Sequence, residues 1–113
     1  VLSSYVPDIL EANIGAALSP LFAEYGLGPA DMERWAVHPG GRAILDKVER
    51  GLNLPGTALE PSRQVLRDYG NMSSATVLFV LQNVLAEASR GERVCAVAFG
   101  PGLTVESALL TRR

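Results

Sequence analysis

The stretch Arg34-Trp35-Ala36-Val37-His38-Pro39-Gly40-Gly41-Arg42-Ala43-Ile44-Leu45-Asp46-Lys47-Val48 decides the fold. Arg34 to Val37 is short and apolar, which predicts a buried strand or the end of one. Gly40-Gly41 turn the chain, and Ile44, Leu45, Val48 and Leu52 then recur at helical spacing, predicting a helix from about Arg42 to Gly51. Strand, glycine turn and helix in that order build an α/β sheet, and open sheets of that kind take their ligands at the carboxyl ends of strands. His38, the only histidine of the chain, falls at such an end. A lone histidine is more often structural or solvated. Its place beside a turn that admits close backbone approach favours function here.

Towards the amino terminus, Leu10, Ile14, Ala17, Leu18, Leu21, Phe22 and Tyr25 recur at helical intervals. Pro7 and Asp8 start that helix, with Asp8 and Glu11 at capping-box spacing and Gly26 as a left-handed terminator. Pro20 is expected to kink or split it. Residues 1–5 read as the tail of a strand that begins upstream, and Asp31 to Arg34 as a polar bridge holding one helical turn. Beyond the Leu54-Pro55-Gly56 loop, Thr57 and Glu60 again have capping-box spacing, ahead of a helix whose apolar positions are Val65, Leu66 and Tyr69 and which Gly70 closes. Gly70-Asn71-Met72-Ser73-Ser74-Ala75 then opens the most apolar segment, a helix from Ser73 to about Ala88. Ala75, Val77, Leu78, Phe79, Val80, Leu81, Val84 and Leu85 leave it almost no polar stripe. A helix of that kind is buried on most sides, which a chain of 113 residues rarely arranges alone. Val94 to Phe99 and Leu103 to Leu110 predict two antiparallel strands joined by Gly100-Pro101-Gly102. The class is α/β, with a mixed sheet packed by helices in a single domain over residues 1–113.

Composition removes several function classes. Ten lysines and arginines stand against 12 aspartates and glutamates, and the basic residues are scattered, so no nucleic-acid footprint is present. A single cysteine rules out an internal disulfide and suits a reducing compartment. No apolar run approaches the ~20 residues of a membrane span, and no signal segment stands at the start, so a soluble cytoplasmic protein is expected. One histidine and one cysteine are too few for a metal site. Cys95, in the middle of a buried strand, is expected to pack and to be inert. Asn71 suits a helix cap, a place that also holds its amide rigidly as a hydrogen-bond donor, and of Ser73 and Ser74 one is expected to cap and the other to pack. His38 and Asn71 together offer an imidazole and a primary amide to a negatively charged oxygen. Neither is a nucleophile for acyl transfer. The chain therefore reads as half of an active site.

His38-Pro39-Gly40-Gly41, Gly70-Asn71-Met72-Ser73-Ser74-Ala75 and Phe99-Gly100-Pro101-Gly102-Leu103-Thr104 resemble, in that order and spacing, the carboxyl-terminal half of the chalcone synthase and type III polyketide synthase family. Trp35 to Val48 and Val65 to Leu81 are similar to it almost continuously. The resemblance implies a thiolase-like fold of two similar halves, of which this is the second, the first carrying a nucleophilic cysteine. It also implies an acyltransferase that extends a cysteine-bound starter with malonyl units from coenzyme A. His38 and Asn71 would be catalytic, with Gly40, Gly41, Ala43, Ser73, Phe99, Gly100, Pro101 and Gly102 lining the substrate and coenzyme A path. Ala98 replaces the first glycine of the family's Gly-Phe-Gly-Pro-Gly loop. No cofactor is implied beyond coenzyme A thioesters as substrates. The expected partners are the first half of the enzyme, its acyl-CoA and malonyl-CoA substrates and, at full length, a second copy in a homodimer. Two other readings are a ketoacyl synthase III-like domain and a non-catalytic remnant that binds a partner. Ketoacyl synthases usually follow their histidine with Gln-Ala-Asn, where this chain has Pro39-Gly40-Gly41.

Overall fold

The central strands lack polar alternation because both faces of their sheet are covered. In the computed structural model, which describes residues 6–70, 76–100 and 104–113, β1 (Arg34–Val37) pairs in parallel with β2 (Arg93–Gly100). β2 pairs antiparallel with β3 (Thr104–Thr111), giving the order β1-β2-β3. Trp35 lies beside Cys95 and Val37 beside Val97. On one face Trp35, Val37, Cys95 and Val97 share a core with Leu10, Ile14, Leu18 and Phe22 of α1 (Val6–Tyr25) and with Ile44, Leu45 and Val48 of α2 (Arg42–Gly51). On the other, Ala36 and Val94 pack with Val65 of α3 (Glu60–Tyr69) and with Val80 and Val84 of α4 (Thr76–Glu87). β1 and α2 have the predicted bounds.

The inner residues of α1 stand four apart and form one buried stripe. Of the expected kink or split, the split does not occur: α1 is one continuous helix through Pro20. Pro20 stands on the exposed side, where the carbonyl it leaves without an N–H partner faces water. Asp8 does not cap the helix; it lies inside it, and Lys47 Nζ sits 2.8 Å from its carboxylate. Lys47 also lies 3.4 Å from Glu11, so ion pairs join α1 to α2. Gly51 lets the two helices approach, because a Cβ there would collide with Ile14 Cγ2 and lie 2.7 Å from the Glu11 carbonyl oxygen. Gly26 ends α1 at φ +67, as expected. The helical turn of the bridge is a short 3-10 turn at Pro29–Asp31, slightly earlier than the sequence suggests.

Thr57 does not cap α3. Leu59, fully buried, takes the cap position without a side-chain bond, and Thr57 contributes only its carbonyl, which accepts from the Glu60 N–H at 3.2 Å. Core burial of Leu59 sets where this helix begins. Tyr69 is not an inner position: it is 64% exposed and stacks on Phe79, ring centroids 6.2 Å apart. α4 buries Thr76, Val80 and Val84 but leaves Leu78 and Phe79 exposed, so the described residues cover it on one side only. The readings for residues 1–5, for Ser73 to Ala75 and for Leu103 lie outside the described residues. Among the described residues no helix is long and apolar enough to cross a membrane.

Candidate active site at the carboxyl ends of β1 and β2

His38 follows the last residue of β1, and its N–H donates to the Val97 carbonyl at 2.8 Å, extending the ladder by one residue. The chain then turns at once, the Gly40 N–H donating to the His38 carbonyl at 2.9 Å. A Cβ on Gly40 would stand 3.7 Å from His38 Cδ2, which places the imidazole directly over this turn. Gly41 has φ +149, a region side chains disfavour, and its carbonyl accepts from the Leu45 N–H at 3.1 Å to start α2. Ala43 is exposed in the first turn of that helix.

The His38 ring is half-buried. Its Nδ1 is buried and has no hydrogen-bond partner among the described residues. Burial pushes the imidazole below its ordinary value of 6.5, so the ring is neutral at pH 7. Phe99 is half-buried at the end of β2, two residues past the partner of Val37, and packs on the core shared with α1 and α2. Gly100 closes β2 opposite Thr104. His38, Gly40 and Gly41 thus share one end of the sheet with Phe99 and Gly100. Asn71, Ser73, Pro101 and Gly102 lie outside the described residues.

Cys95 sits fully buried in mid-strand, and burial pushes its thiol up to about 12, which makes it unreactive. A cavity of about 680 Å³ opens at the other end of β1, beside Arg34, Trp35 and Pro55, and does not touch His38. One residue that the sequence did not single out bears on the site. Ser62, in the first turn of α3, accepts a hydrogen bond from the Val37 N–H at 3.2 Å and donates to the Val37 carbonyl at 2.7 Å. A serine so placed reads in sequence as a local capping residue, and nothing local reveals a partner 25 positions away.

Residues 1–112 match the family model of the carboxyl-terminal domain of chalcone and stilbene synthases. Among solved structures, PKS-I from the brown alga Ectocarpus siliculosus superposes with a TM-score of 0.90 at 35% identity, over 100% of this chain and 32% of that one. A mutant of CsyB superposes with a TM-score of 0.88 at 30% identity, over 100% of this chain and 33% of its own length. The chain spans about a third of the proteins it matches. The mixed α/β fold agrees with this match. The chain belongs to the chalcone and stilbene synthase family, as its carboxyl-terminal domain.

Proposed function

We propose that this domain supplies His38 and Asn71 to a longer type III polyketide synthase, where they hold the negative oxygen of a malonyl-CoA thioester. The observation that carries the reading is a neutral, half-buried imidazole at the carboxyl end of β1, beside the end of β2. When malonyl-CoA loses carbon dioxide, the electrons of the broken C–C bond pass to the thioester oxygen as an enolate. The enolate carbon then attacks the acyl group held on cysteine, the new C–C bond forms, and the cysteine sulfur leaves as a thiolate. Charge gathers on a thioester oxygen in both steps. Two preorganised donors in a water-poor site hold such charge without reorganising, and losing one typically raises the barrier by ~2.7–4 kcal/mol. A neutral imidazole carries one N–H. With Nδ1 buried and unpartnered among the described residues, the proton is better placed on Nε2, where it can serve as a donor.

On this reading Gly40, Gly41 and Ala43 lie beside the coenzyme A arm, while Ser73 and the Phe99 to Gly102 loop border the acyl cavity. The nucleophilic cysteine belongs to the first half of the enzyme, because Cys95 is buried and its thiol is held protonated. The longer enzyme is a cytoplasmic homodimer, and the 113-residue chain alone is inactive. The test is carbon dioxide release from malonyl-CoA. The isolated chain should release none. In the longer enzyme Asn71→Ala should abolish release while starter loading on cysteine survives. Turnover by the pure chain, or an unaltered rate in the Asn71 variant, would overturn the assignment.

A further inference from the structure

We propose that Ser62 is a positioning residue for His38: its hydroxyl closes the free edge of β1 at Val37 and fixes the strand end from which the imidazole projects. The inference rests on the reading of His38 as an oxyanion donor, and its test separates the two. In a parallel ladder a strand turns the N–H and C=O of alternate residues towards a given neighbour. His38 turns its N–H to Val97 on β2. Val37, one residue out of phase, therefore faces the other edge, where no strand lies among the described residues.

Val37 is fully buried, so water cannot serve its backbone groups. Ser62 is fully buried too, and its single hydroxyl meets both needs, accepting from the N–H and donating to the carbonyl. A hydroxyl has one proton and spare lone pairs, which is what the N–H and C=O of one residue at a strand edge require. The next residue braces the opposite flank of the turn. Arg63 lies 2.9 Å from Asp46 and 3.4 Å from Glu49 of α2, the helix that starts at Gly41. The segment from His38 to Gly41 is thus held at its entry by Ser62 and, through α2, at its exit by Arg63. Without the hydroxyl, the peptides on both sides of Val37 each have an unmet bond, and the Val37–His38 peptide has a reason to rotate, carrying His38 with it.

Because the chain has one histidine, its imidazole resonances are unambiguous. Ser62→Ala should move the His38 titration towards the ordinary value and abolish hydrogen-exchange protection at the Val37 amide. Ser62→Thr should keep both features, and Ser62→Val, which has the shape of threonine without its hydroxyl, should lose them. In the longer enzyme Ser62→Ala should lower kcat for decarboxylation by about tenfold or more, as a misplaced catalytic group does, with KM little changed and threonine restoring the rate. A His38 titration that Ser62→Ala leaves unmoved overturns the proposal. So does a Val37 amide in the unaltered chain that exchanges as fast as a solvent-exposed one, a measurement that needs no variant to fold. His38→Ala distinguishes the underlying reading: unchanged decarboxylation there removes His38 from the mechanism while leaving the Ser62 hold on the ring intact.

Discussion

His38 loses hydration on folding and gains no partner for Nδ1 among the described residues, so the folded chain resists its protonation. The unfolded chain binds that proton near pH ~6.5, the folded one only at lower pH. The contribution of His38 is therefore complete above pH ~6.5 and is lost as pH falls from there towards the depressed folded value. Urea midpoints measured between about pH 8 and about pH 5 should fall less steeply for His38→Gln than for the unaltered chain. Parallel slopes would contradict the burial argument. His38 at a strand end and Cys95 in mid-strand are both legible in sequence, because each depends on the order of its immediate neighbours. Ser62 is not. Its function depends on a strand 25 residues away, and the same serine capping its own helix would look identical in the sequence.

The contact between α1 and α2 opposes two effects at one position. Gly51 lies in the last turn of α2, where helix propensity alone would make alanine better by ~1 kcal/mol. A Cβ there would run into Ile14 and the backbone of Glu11, neither of which can swing aside as a flexible surface side chain would. Overpacking of this kind costs about 1–3 kcal/mol, so Gly51→Ala should destabilise the chain on balance. Gly56→Ala is the control, since a Cβ there meets nothing within 4 Å, and it should stay within ~0.5 kcal/mol. Thermal or urea unfolding of the two variants decides it, and a gain in stability from Gly51→Ala would refute the close approach. β1 and α2 are predicted to the residue because an apolar run bounded by glycines signals itself. Thr57 misleads because capping rules describe isolated helices, whereas a buried Leu59 is a product of packing, and Pro20 does not split α1 because it faces solvent.

Seen whole, the molecule has one finished side and one unfinished side. α1 and α2 pack on one face of the sheet, whereas on the other Leu78 is 64% and Phe79 46% exposed, beside a groove of about 310 Å³ between α4 and β2–β3. Leu78→Lys combined with Phe79→Gln should change stability by no more than ~1 kcal/mol and should reduce concentration-dependent self-association of the chain in light scattering. A large loss of stability would mean that these side chains support the fold from within. The relatives, three times as long, place further chain beyond this domain, and an apolar face is what such chain would need to dock on.

By itself the sequence determined the elements and their order, the histidine at the strand end and the resemblance that names the family, since all of these reside in neighbouring residues and short spacings. Folding adds what no short spacing carries: Ser62 closes the edge of β1, Gly51 admits α1, and one face of α4 stays open among the described residues. Those properties belong to pairs of surfaces far apart in the chain, and a linear pattern records what each residue is, not what folding brings against it.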